Sequence, residues 1–305
     1  MVRPARPDRL AQRRARTAWL LLLPLLTALT GVALWPLART FWFSFTDATL
    51  FDLTGARFVG LDNFALLLAD PEWWRSVWNT LVFTAVSVAL EVCLGFAIAL
   101  TLHAQFPGRG PLRAAVLIPW AIPTVVSAKM WGWMFHDVYG VVNAMLLDIG
   151  ILSAPLAWTA SPHLAMAALI AVDVWKTTPF VALLLLAGLQ MLPKDYYDAA
   201  QVDGASTWTQ FIAITVPLMK PALAVAAIFR ALDAMRIFDL VYVLTGSNRE
   251  TMTMAVYARQ QLIDFQDFGA GSAASTLLFL VIAMVTAIYL MAVRLRLSER
   301  SALAG

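Results

Sequence analysis

The chain has 305 residues, of which 61% are apolar and only 13% are charged, and its mean hydropathy is +0.74. Soluble domains are typically about 45–50% apolar and about 25% charged. So few charges cannot cover a globular surface with polar groups, which excludes an ordinary soluble protein and indicates that lipid replaces water over much of the surface. The length suits about six membrane spans of ~20 residues each, together with their loops.

The composition also argues against thiol and metal chemistry. The one cysteine, Cys93, can form no internal disulfide or CxxC pair, and His103, His136 and His163 are too scattered for a metal cluster. No metal site is therefore predicted. The net charge of +3 is typical of a membrane protein with basic cytoplasmic loops, so no nucleic-acid partner is predicted either.

The N-terminal segment, residues 1–17, is strongly basic and precedes a long apolar run. Its arginines are Arg3, Arg6, Arg9, Arg13, Arg14 and Arg16. The apolar run from Ala18 to Ala38 has 21 residues, whereas the core of a cleaved signal peptide has only ~7–15. The sequence therefore predicts an uncleaved first span.

Six stretches are long and apolar enough to cross a bilayer, and together they predict an all-α polytopic membrane protein with six transmembrane helices. Their approximate bounds are 18–42, 78–103, 112–135, 163–190, 221–244 and 273–294. The loops at 46–77 and 136–162 are of mixed character. Within the second loop, an apolar piece at 138–152 is too short to cross, and a re-entrant or interfacial helix is predicted there.

Lysine and arginine are concentrated in alternate connections, which predicts the orientation of the chain. With the N-terminus inside, thirteen basic residues lie on the cytoplasmic side and four on the outer side. Both termini are therefore predicted to be cytoplasmic. The resulting organisation is a basic cytoplasmic segment at 1–17, a six-helix membrane domain at 18–294 and a cytoplasmic tail at 295–305.

The connection between the fourth and fifth spans, residues 193–220, carries a compact polar segment that predicts two short helices. The residues expected at the helix ends are Pro193 and Asp195 at the first start, Gly204 at the first end, Ser206 or Thr207 as the second cap and Pro217 at the second end. A plain connecting loop is the alternative. A pair of coupling helices that docks into a groove on a soluble partner explains the pattern better, and the charge count places it in the cytoplasm.

The same segment resembles the EAA loop of binding-protein-dependent ABC importer permeases. The family pattern is Glu-Ala-Ala, three residues, Gly, nine residues and Ile-x-Leu-Pro, and the chain departs from it at Asp198 for Glu and Val216 for Leu. The matching spacing extends over twenty residues. The residues that the resemblance assigns to coupling are Tyr197, Asp198, Ala199, Ala200, Asp203, Gly204, Ala205, Ile214 and Pro217.

The resemblance implies a transporter with several subunits in a bacterial cytoplasmic membrane. The implied partners are two ATP-binding cassette subunits, a homologous second permease and an extracytoplasmic sugar-binding protein or lipoprotein, which would dock on the outer loops 46–77 and 245–272. The chain has no Gly-x4-Gly-Lys-Ser/Thr phosphate loop. It is therefore predicted to be a permease and not an enzyme, and to bind no cofactor itself, with ATP and Mg²⁺ on the partner ATPase.

Charged side chains inside spans cost about 2.5–3.5 kcal/mol each on insertion scales, and eight are predicted there. They are Glu91, Lys129, Asp173, Lys176, Arg230, Asp233, Arg236 and Asp239. The last four lie three residues apart with alternating sign, so neighbours can pair along the helix. Lys176 and Arg230 fall near mid-bilayer by residue count, where transporters usually hold substrate. Purely structural ion pairs are the alternative.

The resemblance extends to the maltose-type members of the family, in which the spans on either side of the loop contact the sugar. The residues at the corresponding positions, with Asp233 added on physical grounds, are Lys176, Thr177, Phe180, Arg230, Asp233, Ala234 and Ile237. Ala234 and Ile237 cannot hydrogen-bond a sugar through their side chains, whereas Phe180 and Trp175 offer aromatic faces. The overall sequence resembles permeases of mycobacterial trehalose importers, which implies a disaccharide such as trehalose.

Two other classes of membrane protein stay open at this point. A lipid-linked glycosyltransferase needs a constellation of acidic residues at the membrane surface, and Asp47, Asp52 and Asp62 lie in the first outer loop without a paired motif. An ion-coupled secondary carrier needs no coupling loop. Uptake that is driven by ATP after the proton gradient has been collapsed would distinguish the importer from the carrier.

Overall fold

The computed structural model describes residues 9–303, and the side chains of residues 14 and 16–292 within them. The α-helices in chain order are α1 (Arg9–Leu29), α2 (Trp35–Phe43), α3 (Asp62–Ala69), α4 (Pro71–His103), α5 (Arg109–Ala121), α6 (Thr124–Met134), α7 (Val141–Asp148), α8 (Ala165–Gln190), α9 (Asp195–Val202), α10 (Thr207–Gln210), α11 (Val216–Met235), α12 (Asp239–Thr245), α13 (Met254–Arg259) and α14 (Phe268–Leu303). Wider π-helical turns continue α1, α10 and α13, at Thr30–Leu34, Phe211–Thr215 and Gln260–Asp264. Within residues 9–303 the β-structure is limited to isolated bridges, so the all-α prediction is confirmed.

Five helical segments are long and apolar enough to cross a membrane, or six if one bent pair counts as a span. The five are Arg16–Phe43, Pro71–His103, Ala165–Gln190, Thr207–Met235 and Phe268–Ala292. The first, second, fourth and sixth predicted spans are confirmed. The last helix continues to Leu303 and so takes in most of the predicted tail. Residues 1–8 of the predicted basic segment and residues 304–305 lie outside the described residues.

The third predicted span, 112–135, is not a continuous helix but a bent pair, because α5 and α6 meet at a bend of 89°. Pro123 explains the break, since a proline disfavours helical dihedrals in the residue before it. Ile122 is accordingly extended, with φ −74° and ψ 132°. The two helices have 13 and 11 residues. At ~1.5 Å per residue, neither alone crosses an apolar layer of ~30 Å.

The fifth span lies closer to the N-terminus than the predicted 221–244. It begins at Thr207, inside the coupling segment, and ends at Met235. Pro217 lies within this continuous helix, so the prediction that it closes a separate helix is wrong. The wider turn at Phe211–Thr215 directly precedes the proline. Such a turn accommodates a ring that would otherwise collide with the carbonyl four residues earlier.

The centre of the bundle consists of α4, α8 and α11, and α4 packs along much of α8. Two clusters of buried apolar side chains lie at different levels of these helices. The cluster near the coupling segment includes Leu102 and Leu189, and the cluster at the opposite end includes Phe83 and Leu169. Because lipid tails are as apolar as these side chains, close packing rather than water exclusion holds such helices together.

Gly95 allows α4 to approach α8 closely. A Cβ at this position would lie 2.8 Å from Cγ1 of Val181 and 3.2 Å from the backbone nitrogen of Ala182. We expect Gly95→Leu to lower the melting temperature of the purified protein, because overpacking costs about 1–3 kcal/mol. Gly31→Leu in the first span is the matched control, since a Cβ there meets nothing within 4 Å. Equal melting temperatures for the two variants would contradict this account of the packing.

Candidate functional site

A network of buried ion pairs lies at mid-height in the bundle, centred on Arg230 of α11. Its guanidinium donates to both carboxylate oxygens of Glu91 on α4, and its Nη2 lies 2.9 Å from Oδ2 of Asp173 on α8. Its Nη1 lies 2.7 Å from Oδ2 of Asp233 on the same helix. The Arg230 side chain is 2% exposed and that of Asp233 is 59% exposed. The network therefore runs from the core to an accessible edge.

The network occupies the level that separates the two apolar clusters. On α4 and α11 the residues on one side of it pack in one cluster and the residues on the other side pack in the second, and on α8 the change of cluster falls after Asp173, between Val174 and Val181. Three carboxylates meet one guanidinium here, a formal charge of −2 for the four side chains. Buried charges are tolerated when they are paired and hydrogen-bonded. Arg230 is thus the residue that allows Glu91 and Asp173 to be buried.

Two of the predicted substrate-path residues on α8 lie beside this network. The hydroxyl of Thr177 contacts both the Glu91 carboxylate and the backbone oxygen of Asp173. Lys176 is buried, and it takes part in none of the salt bridges formed by the described residues. An ammonium group in this position keeps donors that a ligand could use.

The remaining predicted path residues have more apolar surroundings. Phe180 stacks on Trp120 of α5, with ring centroids 5.7 Å apart and planes 17° apart. Ala234 is buried in the cluster far from the coupling segment, and Ile237 packs against that cluster. The backbone oxygen of Ile237 accepts a hydrogen bond of 3.1 Å from Thr253. Ala234 and Ile237 therefore contribute to the core in this conformation.

Of the three ion pairs predicted between successive charged residues of the fifth span, two are confirmed. Arg230 pairs with Asp233 at 2.7 Å, and Asp233 pairs with Arg236 at 3.5 Å. The third predicted pair, Arg236 with Asp239, does not form, because α11 ends at Met235 and the two residues lie on different elements.

The central position of Glu91 is a feature that sequence reasoning missed. In the sequence analysis, Glu91 is only one of eight charged residues predicted inside the spans, and no partner is predicted for it. The structure shows that it ends a stripe of buried polar side chains at helical spacing on α4, which comprises Ser76, Thr80, Thr84, Ser87 and Glu91. This spacing is the sequence signal that could have identified the face of α4 that meets Arg230.

The segment 193–220, which we call the coupling elbow, has most of the predicted local geometry. α9 begins at Asp195 and carries Asp198 in its first turn. Gly204 has φ +74°, the left-handed conformation expected of it. The hydroxyl of Ser206 accepts a hydrogen bond of 3.2 Å from the backbone N–H of Thr209, as a helix cap does.

Side-chain contacts fix the elbow to the bundle. The hydroxyls of Tyr197 and Thr215 lie 2.9 Å apart and join its two helices. Phe211 stacks on Trp208 at 5.6 Å and on Phe96 of α4 at 5.9 Å. Of the other predicted coupling residues, those exposed are Asp198, Ala199, Asp203 and Gly204, and those half buried are Ala200, Ala205, Ile214 and Pro217. Large apolar side chains are also exposed on the elbow, namely Tyr196, Val202, Trp208 and Ile212.

At the end of the bundle opposite the elbow, polar contacts join the N-terminal end of α4 to the segment that follows α12. The contacts are the ion pairs Glu72–Arg249 and Arg75–Glu250 and a 2.6 Å hydrogen bond from Tyr257 to Asp70. Burial and the bond to the carboxylate raise the pKa of Tyr257, and the bond to Glu72 raises the pKa of Arg249. These contacts give the predicted docking loops a defined conformation.

The acidic residues of the first outer loop organise their own backbone. Oδ1 of Asp47 accepts a hydrogen bond of 2.6 Å from the N–H of Arg57, and Oδ1 of Asp52 accepts one of 2.7 Å from the N–H of Gly55. A glycosyltransferase would need such carboxylates to converge on a substrate. Local turn formation explains them without a catalytic role.

The comparisons with known proteins agree with this architecture. A model of the family described as "binding-protein-dependent transport system inner membrane component" matches residues 91–300. The chain is 43% identical to the trehalose/maltose transport system permease protein MalF of Thermococcus litoralis, over 95% of this chain and 97% of the relative. It is 39% identical to the trehalose transport system permease protein SugA of Mycobacterium tuberculosis, over 93% of this chain and 90% of the relative.

A solved structure shows the same fold. One chain of a bacterial ABC transporter involved in the import of the acidic polysaccharide alginate superposes with a TM-score of 0.81, over 94% of this chain and 99% of that one. At 22% identity, the likeness concerns the fold alone. The family match and the relatives confirm the relationship that the EAA-like motif indicates, and the chain belongs to the binding-protein-dependent transport system inner membrane components.

Proposed function

We propose that the chain is the permease subunit of an ATP-driven importer whose cargo is a disaccharide such as trehalose. The observation that carries this proposal is the near full-length similarity to two permeases that are both named for trehalose. Neither a membrane glycosyltransferase nor an ion-coupled carrier is favoured by these relatives. A homologous second permease, two ATPase subunits and an extracytoplasmic sugar-binding protein complete the proposed transporter.

The elbow is the proposed site of energy coupling, on the cytoplasmic side. Its exposed Tyr196, Val202 and Trp208 suit a groove on the ATPase subunit, because exposed apolar side chains on a polar segment mark interaction surfaces. The stack of Trp208, Phe211 and Phe96 supports a mechanical connection from that surface to α4. ATP and Mg²⁺ bind to the partner, and this chain contributes the movement of its helices.

We place the proposed sugar path at the level of the bundle where the ion-pair network around Arg230 lies. Lys176, Thr177 and Asp233 offer donors and acceptors near mid-bilayer, and Phe180 offers an aromatic face for a sugar ring. Arg230 is engaged with three carboxylates, so its proposed role is to hold Asp233 in place at the edge of the path. Sugar uptake then requires the helices to rock about this level.

Uptake by the complete transporter tests the proposal. The chain is co-expressed with its second permease, ATPase and binding protein and is reconstituted into proteoliposomes, and uptake of radiolabelled trehalose is measured with ionophores that collapse the proton gradient. We expect uptake to continue while ATP is supplied on the ATPase side and to stop when it is omitted. An ATPase subunit with its phosphate-loop lysine replaced is the control and should give background uptake.

Two different results would overturn two different parts of the proposal. Uptake that requires the proton gradient and ignores ATP would remove the ATP-driven mechanism. ATP-driven uptake of another sugar, with neither uptake of trehalose nor competition by it, would leave the permease assignment intact and remove the cargo.

A further inference from the structure

The short helix α7 presents a fixed apolar stripe on the surface of the protein. Val141, Met145 and Ile149 lie four residues apart, on one face of the helix. Met145 is 63% exposed and Ile149 is 65% exposed, and Val138, just before the helix, is exposed as well. Eight residues rise only ~12 Å, so α7 cannot cross a membrane.

The stripe is held rigidly by contacts on the opposite face of α7. Asn143 is buried there, and its amide nitrogen donates to the backbone oxygen of Leu156 at 2.9 Å. Its amide oxygen accepts from the N–H of Leu156 at 3.1 Å and from the indole of Trp158 at 2.9 Å. Val142 packs against the apolar core. The exposed stripe is therefore a defined surface and not a loop that could fold inward.

The surroundings of the stripe identify what covers it. The preceding helix, α6, also carries exposed apolar side chains, namely Val126, Met130 and Trp133, and it is one half of the bent apolar pair α5–α6. Exposed Trp133 and Tyr139 lie at the junction, the residue types that concentrate at the boundary between lipid and water. No lysine or arginine occurs between Lys129 and Lys176, so the segment offers no permanently charged cation to an acidic protein surface.

We propose that Val138, Met145 and Ile149 insert into the bilayer interface, with Val141 at the margin of the inserted surface, in the leaflet on the side opposite the coupling elbow. α7 then anchors the bent α5–α6 pair, neither half of which spans the membrane alone. Ala144 and Asp148 are exposed beyond Val141, along the edge of the arc away from Met145 and Ile149, and the proposal places them in water. This inference rests on membership of a membrane-protein family and on the geometry of α7, so it is independent of the identity of the cargo.

Site-directed spin labelling tests the lipid contact. Cys93 is the native cysteine and is exposed, so Cys93→Ser gives a background for single labels at Met145, Ile149 and, as the matched control, Asp148. In the complete transporter in nanodiscs, we expect the labels at Met145 and Ile149 to collide preferentially with oxygen, which partitions into lipid. The label at Asp148 should collide preferentially with a water-soluble nickel chelate.

The same measurement contains the results that would overturn the inference. Preference for the nickel chelate at all three positions would mean that the stripe faces water. Loss of both collision partners at Met145 and Ile149 would mean that a protein surface, such as the second permease or the binding protein, covers the stripe. Uptake by the Cys93→Ser background, measured in parallel, shows whether the transporter itself is intact and keeps the two proposals separate.

Discussion

Arg230→Gln is expected to destabilise the protein more than any other single change in the buried network. Without the guanidinium, the carboxylates of Glu91 and Asp173 remain buried near each other with no cation bonded to them. Removal of one partner from a buried ion pair costs about 3–5 kcal/mol. At about 2.1 cal/mol/K of unfolding entropy per residue, each kcal/mol shifts the melting temperature of a chain of 305 residues by about 1.6 °C. We therefore expect a fall of about 5–8 °C in the purified protein, with less protein recovered from the membrane.

Glu91→Gln removes a negative charge from the network instead of the positive one, and it is expected to lower the melting temperature less than Arg230→Gln does. It reduces the formal charge of the four side chains from −2 to −1, and Arg230 keeps Asp173 and Asp233 as partners. The amide oxygen of a glutamine can still accept from the guanidinium. Net charge in the network, rather than the number of ion pairs, therefore decides the order of the two variants.

Arg236→Gln is the matched control for both changes. Arg236 lies six residues after Arg230, its side chain is 69% exposed, and its ion pair with Asp233 is 3.5 Å long. Exposed pairs contribute about 0–1 kcal/mol, so its melting temperature should stay close to that of the parent protein. If Arg230→Gln has the same melting temperature as Arg236→Gln, the buried network does not stabilise the fold. Partial recovery on combining Arg230→Gln with Glu91→Gln and Asp173→Asn would support the charge argument.

The features that depend on local sequence could be predicted. Long apolar runs define four spans, and the positive φ of Gly204 and the cap at Ser206 follow from the preferences of those residue types. The break at Ile122 could also have been predicted, because the proline that follows it disfavours helical dihedrals at this position. Apolar content alone hides this break, since both helices of the bent pair are apolar.

The features that depend on tertiary contacts could not be predicted. Neither proline nor glycine marks the end of α11 after Met235, and the freed backbone oxygen of Ile237 is satisfied by Thr253 from a distant segment. The partnership of Glu91 with Arg230 joins residues 139 positions apart. A list of intramembrane charges does not show which of them meet. Its members become a network only when α4, α8 and α11 are brought together.

Gly204→Val is expected to reduce ATP-driven uptake to background while leaving the chain in the membrane. Gly204 has φ +74°, and a Cβ added there would meet nothing within 4 Å. Crowding of neighbours is therefore not the reason. The left-handed conformation costs an ordinary L-residue roughly 1–2 kcal/mol, and β-branched residues resist it most. A turn that abandons this conformation redirects the second helix of the elbow and moves Trp208 away from the proposed ATPase groove.

A graded series separates this backbone effect from a general loss of stability. Asparagine tolerates the left-handed region better than alanine or valine does, so uptake should decrease in the order Gly204, Gly204→Asn, Gly204→Ala and Gly204→Val. Gly108→Val is the matched control, because Gly108 has φ +88° and equally open surroundings at the turn before α5, outside the elbow. It carries the same strain and should retain uptake. If Gly204→Val transports at the parental rate, or if Gly108→Val loses uptake to the same extent, the turn at Gly204 has no special part in coupling.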